Sequence, residues 1–157
     1  MSGSSAARTK VKVALLISFS LVYWQSLAAD TDLRREIKAG HDLFVGKAPL
    51  HGRIRTDFSN LPTEVVRCKN CHAQGAGKDV ALSLAPRLNR QFLLEPRARR
   101  GGPMTSYDEQ TFCRVLQGGL DPAYILVSAE MPRYEIDEGM CKALWKYITR
   151  TTDESAD

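Results

Sequence analysis

The chain has 157 residues, of which 43% are hydrophobic and 25% charged, and its formal net charge is +4. This length favours a single domain, and the charged fraction is typical of a soluble globular protein and too high for a membrane bundle. Its four cysteines are too few for a disulfide-built miniprotein, which usually contains more than about 8–10% cysteine.

The first predicted element is an export signal at residues 1–28. Three basic residues stand before an apolar run at 13–24, and small residues follow at 26–28. A basic start, an apolar run and a small-residue exit are typical of a secretory signal peptide, so we expect cleavage after Ala28. An uncleaved membrane anchor is the alternative, because the apolar stretch is close to the shortest that can span a bilayer.

The predicted signal peptide indicates the compartment of the protein and carries most of its net positive charge. Removing residues 1–28 removes three basic residues and no acidic ones, which lowers the net charge from +4 to +1. The mature chain, 29–157, therefore has no charge excess that would favour nucleic-acid binding. We expect it in the periplasm, where disulfides persist, and at a membrane only if the signal stays attached.

The mature chain is predicted to be all-α, with short helices joined by long loops. Apolar residues recur at helical spacing over 32–45 and over 137–149, and a shorter helix is predicted over 107–116, ended by Gly118-Gly119. Alternating strand patterns are nearly absent.

Two further stretches have weaker signals. Asp121-Pro122 could start another helix, because aspartate caps helix N-termini and proline suits the first turn. Residues 46–66 and the stretch after Cys71 are predicted to be irregular loops. Loops of this length are hard to stabilise unless they pack on something large, which suggests a bound cofactor.

The motif with the clearest chemistry is Cys68-Lys69-Asn70-Cys71-His72, a C-x-x-C-H sequence. This pattern is the attachment signature of c-type haem, because the two thiols can reach both porphyrin vinyl groups and the histidine then lies under the iron. A zinc site would need a fourth ligand at regular spacing, and a thioredoxin-like redox pair would need a βαβ pattern nearby. The sequence has neither, so we expect one haem c on Cys68 and Cys71, with His72 as an axial ligand.

Around this motif the chain resembles a class I monohaem cytochrome c. Gly40 and Phe44 are similar to the glycine and aromatic residue of that family's N-terminal helix, and Leu144 and Tyr147 to the apolar pair of its C-terminal helix. The resemblance implies the class I cytochrome c fold, in which these two helices cross closely beside one covalent haem. It also implies an electron carrier rather than an enzyme.

The same resemblance implies a methionine as the second axial ligand, often followed by proline. Met131-Pro132 lies at the expected distance after His72. A thioether ligand raises the reduction potential relative to a second histidine. Met104, in a glycine-rich loop, and His51, in the stretch before the motif, remain alternatives for this position.

Three other residues have expected positions relative to the haem site. Pro86 resembles the family's proline, whose carbonyl accepts a hydrogen bond from the axial histidine and so orients the ring. Met140 lies on the apolar side of the last helix and is expected to be a core residue. His41 lies in the first helix and is expected to face solvent.

Two cysteines, Cys113 and Cys141, are not needed for haem attachment. An even pair of spare cysteines in an exported protein suggests a disulfide, here between the 107–116 helix and the last helix. Two separately buried thiols are the alternative.

Residues 87–100 contain five arginines and one glutamate. This basic stretch could neutralise haem propionates or dock an acidic redox partner, since complementary charge steers encounter. Arg97, Arg99 and Arg100 are the candidate docking residues. A solvated loop without such a role is the alternative.

The resemblance is weakest at residues 46–67, which form an insertion before the motif. The insertion could shield a haem edge, contact a partner or supply His51. The leading expectation is a periplasmic electron-transfer protein that serves redox partners such as a dehydrogenase or a terminal oxidase. A dedicated cytochrome subunit of a periplasmic dehydrogenase and a sensor or peroxidase-like protein with a displaceable sixth ligand are the alternatives.

Overall fold

The computed structural model describes residues 30–55, 59–72 and 85–150. The chain divides into two compact units, Met1–Arg35 and Glu36–Asp157, and the packing described below belongs to the second. The predicted signal at 1–28 lies outside the described residues, as does nearly all of the loop predicted after Cys71.

Helices make up 46% of the described residues. In chain order they are α1 at 30–45, α2 at Cys68–His72, α3 at Arg90–Leu94, α4 at Glu109–Gly118 and α5 at Glu138–Arg150. The three longest correspond to the three predicted helices, with ends shifted by one or two residues.

Four short strands show that the described chain is not purely all-α. They are β1 at His51–Arg53, β2 at Arg97–Ala98, β3 at Met104–Thr105 and β4 at Arg133–Glu135. The strands form two antiparallel pairs, β1 with β4 and β2 with β3. Strands of two or three residues are too short to show an alternating pattern, so the prediction of an all-α fold was wrong about them.

Helices α1 and α5 make a close contact at Gly40. A Cβ atom there would lie 2.5 Å from the carbonyl carbon of Ala143 and 2.8 Å from Cβ of Tyr147, so the two backbones can approach only because glycine has no side chain. The rings of Phe44 and Tyr147 pack with centroids 5.5 Å apart. The close helix–helix contact expected at these positions is present.

Helix α4 has clear signals at both ends. The Asp108 side chain accepts a hydrogen bond from the backbone N–H of Thr111 at 2.7 Å, which closes a capping box. Gly119 ends the helix in a left-handed conformation with φ of 75°. A disulfide between Cys113 and Cys141 joins α4 to α5, as the sequence analysis expected.

No helix begins at Asp121-Pro122, and this prediction was wrong. The Asp121 carboxylate accepts hydrogen bonds from the backbone N–H groups of Ala123 and Ile125 at 2.9 and 2.8 Å. The Asp121 N–H donates to the Ile125 carbonyl, which closes a tight turn. Aspartate side chains that bond nearby backbone in this way compete with helix formation.

Among the described residues, none of the helices is both long enough and apolar enough to cross a membrane.

Candidate functional site

The main cavity has a volume of about 870 Å³ and is lined by residues between Ile54 and Tyr134. Its apolar lining includes Leu61, Val66, Phe92, Leu93, Phe112, Val115, Leu116 and Val127. Sites for cofactors and small molecules commonly occupy roughly 300–1,000 Å³, so the cavity is large enough for a bulky, mostly apolar group.

The C-x-x-C-H sequence forms helix α2, and both cysteines and His72 line this cavity. Cys68 is buried, whereas Cys71 is exposed. Asn70 holds the helix in place by donating to the carbonyls of Glu64 and Val65 at 2.8 and 3.1 Å. Both thiols and the imidazole therefore reach one apolar chamber from a single helical turn.

Cys68 is a buried thiol, and burial raises its pKa to about 11. Among the described residues, no group of three His, Cys, Asp or Glu side chains is placed to hold a metal ion.

His72 is oriented by the backbone of Pro86. The Nδ1 atom of His72 lies 2.6 Å from the Pro86 carbonyl oxygen, the contact expected from the sequence. Because a carbonyl can only accept, Nδ1 carries the proton and Nε2 is left with a free lone pair. Burial lowers the pKa of His72, which further favours the neutral imidazole that binds metals.

Met131 lines the same cavity as His72, and its partly buried side chain packs against the core. Met104 lies in β3 with 64% of its surface exposed, and it is not on the wall that the described residues form. Of these two methionines, the structure therefore brings only Met131 to the candidate site.

The remaining ligand candidates lie elsewhere. His51 is exposed in β1, and Met140 packs against the core from α5; neither is on the described cavity wall. The ring of His41 packs edge-on against Tyr147, with centroids 5.3 Å apart, and is half-buried. The expectation that His41 faces solvent is met in part, since 39% of its side-chain surface is exposed.

The candidate docking arginines occupy different environments. Arg99 is only 9% exposed; its guanidinium donates to the carbonyls of Phe92 and Thr105 and lies 4.8 Å over the Tyr107 ring. A buried side chain cannot meet a partner surface, so the docking role predicted for Arg99 was wrong.

Arg97 and Arg100 differ from Arg99 in exposure. Arg97 is half-buried and donates to the Gln91 carbonyl at 3.1 Å, whereas Arg100 is exposed and lies at the cavity wall. Arg100 is thus the one of the three that combines exposure with a place at the cavity.

Sequence reasoning missed two polar residues on the cavity wall. Tyr134 lines the cavity and donates from its hydroxyl to the Val66 carbonyl at 2.8 Å. Asp121 is 1% exposed, and its Oδ2 atom has no hydrogen-bond partner among the described residues. Nothing in the local sequence marks Tyr134, because its partner is 68 residues away.

Comparison of the chain with protein-family models, with curated proteins and with solved structures finds no match.

The residues on the wall fit one covalently attached haem. Two thiols three positions apart suit the vinyl groups, the oriented imidazole of His72 could supply a nitrogen ligand, and Met131 could supply a thioether. The apolar lining suits the porphyrin faces. Arg99 and Arg100 supply positive charge on the same wall for the propionates.

Proposed function

We propose that this protein is a periplasmic electron-transfer cytochrome with one haem c and the class I cytochrome c fold. The observation that carries the proposal is that Cys68, Cys71, His72 and Met131 all line one large apolar cavity. The close approach of α1 and α5 at Gly40 supports the fold.

Each residue has a distinct role in this proposal. Cys68 and Cys71 would anchor the group covalently, and His72 would bind the iron through Nε2 while Pro86 holds Nδ1. Met131 would supply a thioether ligand and so exclude small ligands. Bound haem would supply one-electron exchange at its iron, so no protein acid or base is needed.

The expected compartment and the exposed charge of the protein indicate which partners such a carrier would meet. The export signal predicts a periplasmic location, and redox proteins such as a dehydrogenase or a terminal oxidase are the proposed partners. Arg100 is the residue we expect to face an acidic partner, because it is exposed at the cavity wall. Membership of a stable dehydrogenase complex remains the alternative, and co-purification with a partner enzyme would favour it.

Absorption spectroscopy of Met131→Ala and Met104→Ala tests the ligand assignment. We expect the wild type to show covalent c-type bands and the weak far-red thioether-to-iron band in the ferric state. Met131→Ala should lose the far-red band and bind carbon monoxide rapidly when reduced, because the sixth position opens. Met104→Ala is the control and should keep both wild-type properties, since its side chain is exposed away from the cavity.

Two results would contradict the proposal. A wild-type protein without covalent haem bands would remove the cytochrome function altogether. Haem bands without the far-red band, together with fast carbon monoxide binding, would instead favour the sensor or peroxidase-like alternative.

A further inference from the structure

The segment that carries Met131 is a short loop between α4 and β4, residues 127–131. The Val127 N–H donates to the Gly119 carbonyl at 2.8 Å, and the Met131 N–H donates to the Ser128 carbonyl at 3.3 Å. Such a loop can open unless something holds its other backbone groups, because exposed loops with few backbone hydrogen bonds unfold locally at low cost.

The Arg133 side chain holds those groups. Its guanidinium donates to the carbonyls of Met131 at 2.6 Å, Ser128 at 3.4 Å and Val127 at 3.5 Å. A planar guanidinium with five N–H donors can gather several carbonyls at once, which a lysine ammonium does less well. One side chain thus ties together both ends of the 127–131 loop.

The carbonyls of the 127–131 loop are the main polar partners of the Arg133 side chain. Arg133 is 6% exposed, and within the described residues no carboxylate forms an ion pair with it. Burial lowers its pKa, and the neighbouring Arg55 and Arg100 lower it further. A buried cation without an anionic partner depends on hydrogen bonds to carbonyl dipoles, and Arg133 makes these with the Met131 loop.

Gly119 makes room for the guanidinium. It has a φ of 75°, and a Cβ atom on it would overlap the Arg133 side chain. The residue that ends α4 therefore also forms one wall of the slot that Arg133 occupies.

The insertion at 46–67 fixes the backbone of β4, the strand that contains Arg133. Strand β1 pairs with β4 so that Arg53 lies opposite Arg133 and Gly52 lies opposite Tyr134. A Cβ atom on Gly52 would lie 3.2 Å from Cβ of Pro132, so the strand packs directly against the residue after Met131.

Tyr134 extends these contacts to the segment just before the C-x-x-C-H helix. Its hydroxyl donates to the carbonyl of Val66, which lies two residues before Cys68. The insertion and β4 therefore connect the segment that leads into the C-x-x-C-H helix with the segment that carries Met131.

We propose that Arg133 is a positioning residue for Met131, held in place by the strand pairing between the insertion and β4. This inference rests on the proposed function, because it assumes that Met131 is a ligand. In this proposal the insertion stabilises the 127–131 loop that carries Met131. It neither supplies His51 as an iron ligand nor serves as a docking loop for a partner.

Carbon monoxide binding to the reduced holoprotein tests this role, because the gas can bind only when Met131 leaves the iron. Arg133→Met keeps the length of the side chain and removes its donors. We expect binding about tenfold faster than in the wild type, which corresponds to about 1.4 kcal/mol in the loop-opening equilibrium. We also expect the far-red band to disappear at a lower pH, because a looser loop lets competing ligands displace the thioether.

Arg114→Met is the matched control. Arg114 is less buried than Arg133, but it too donates to a loop carbonyl, that of Asp121 at 2.8 Å, and it stacks on Tyr124. We expect this variant to lose stability but to bind carbon monoxide at close to the wild-type rate. A structural effect alone would change both variants alike.

The outcomes separate the two proposals. A wild type without a far-red band contradicts Met131 ligation itself. A wild type with that band, together with an Arg133→Met variant that binds carbon monoxide no faster, overturns only the positioning role. If Arg133→Met does not fold, Arg133→Lys is measured in its place; a rate above the wild type supports the role, and an unchanged rate overturns it.

Discussion

Two adjacent arginines show how the environment of a residue decides its role. Arg99 is buried beneath aromatic rings and bonded to backbone carbonyls, whereas Arg100 has its side chain exposed at the cavity wall. Their side chains are chemically identical, so composition cannot separate them. Both line the cavity, but only the exposed one is available to a protein partner.

Charge reversal at the two positions should therefore have unequal effects. Arg99→Glu would place a carboxylate among the carbonyls of Phe92 and Thr105, and we expect it to lower the free energy of unfolding by about 3–5 kcal/mol. Arg100→Glu should change it by no more than about 0.5 kcal/mol, since its side chain is exposed. Denaturant unfolding of both holoproteins measures the difference, and equal losses would contradict the burial of Arg99.

At the scale of elements, the contact between α1 and α5 depends on one missing side chain. Gly40 lies against the backbone of Ala143, and the ion pair between Lys146 and Glu36 joins the same two helices. Close backbone approach allows many small van der Waals contacts, which together stabilise the helix pair. The disulfide between α4 and α5 adds a covalent link on the other side of α5.

Alanine substitution at two helical glycines tests this contact. Gly40→Ala should destabilise the holoprotein by about 1–3 kcal/mol, because the new methyl group forces the helices apart. Gly118→Ala is the matched control: no heavy atom lies within 4 Å of its Cβ position, so it should be neutral or stabilising by up to about 1 kcal/mol. Thermal unfolding followed by circular dichroism measures both. Equal effects would exclude a special role for the contact at Gly40.

At the scale of the whole molecule, the cavity of about 870 Å³ brings together apolar side chains from several helices and loops. Burying apolar surface stabilises a fold by roughly 25 cal/mol per Å². Typical domains have a total stability of only about 5–15 kcal/mol. On the proposed function, the haem would cover this apolar lining and so contribute a large part of the stability.

Preventing haem attachment should therefore unfold much of the chain. We expect the haem-free Cys68→Ser/Cys71→Ser double variant to lose its near-ultraviolet circular dichroism and its cooperative thermal transition, because the core residues that surround the cavity lose their packing partner. The holoprotein is the control. A haem-free chain with a sharp transition and a native near-ultraviolet spectrum would contradict a structural role for the cofactor.

Features that depend on neighbouring residues could be predicted from the sequence. The C-x-x-C-H spacing predicts a haem attachment site because its two cysteines and histidine lie within five consecutive residues. The helical periodicity of α1, α4 and α5 is visible because each helix repeats its apolar positions several times. Met131 was predicted as a ligand through the resemblance to a family, and of Met131 and Met104 only Met131 lines the described cavity.

Features that join distant parts of the chain could not be predicted in this way. The pairing of β1 with β4 and the hydrogen bond from Tyr134 to Val66 join residues 68 to 84 positions apart, and each strand is too short to leave a pattern. The carbonyls that bond Arg99 and Arg133 are nearer, two to seven residues away along the chain. The burial of these two side chains was still not predictable, because a guanidinium is buried only when the folded chain turns carbonyl oxygens toward it, and no local spacing encodes that.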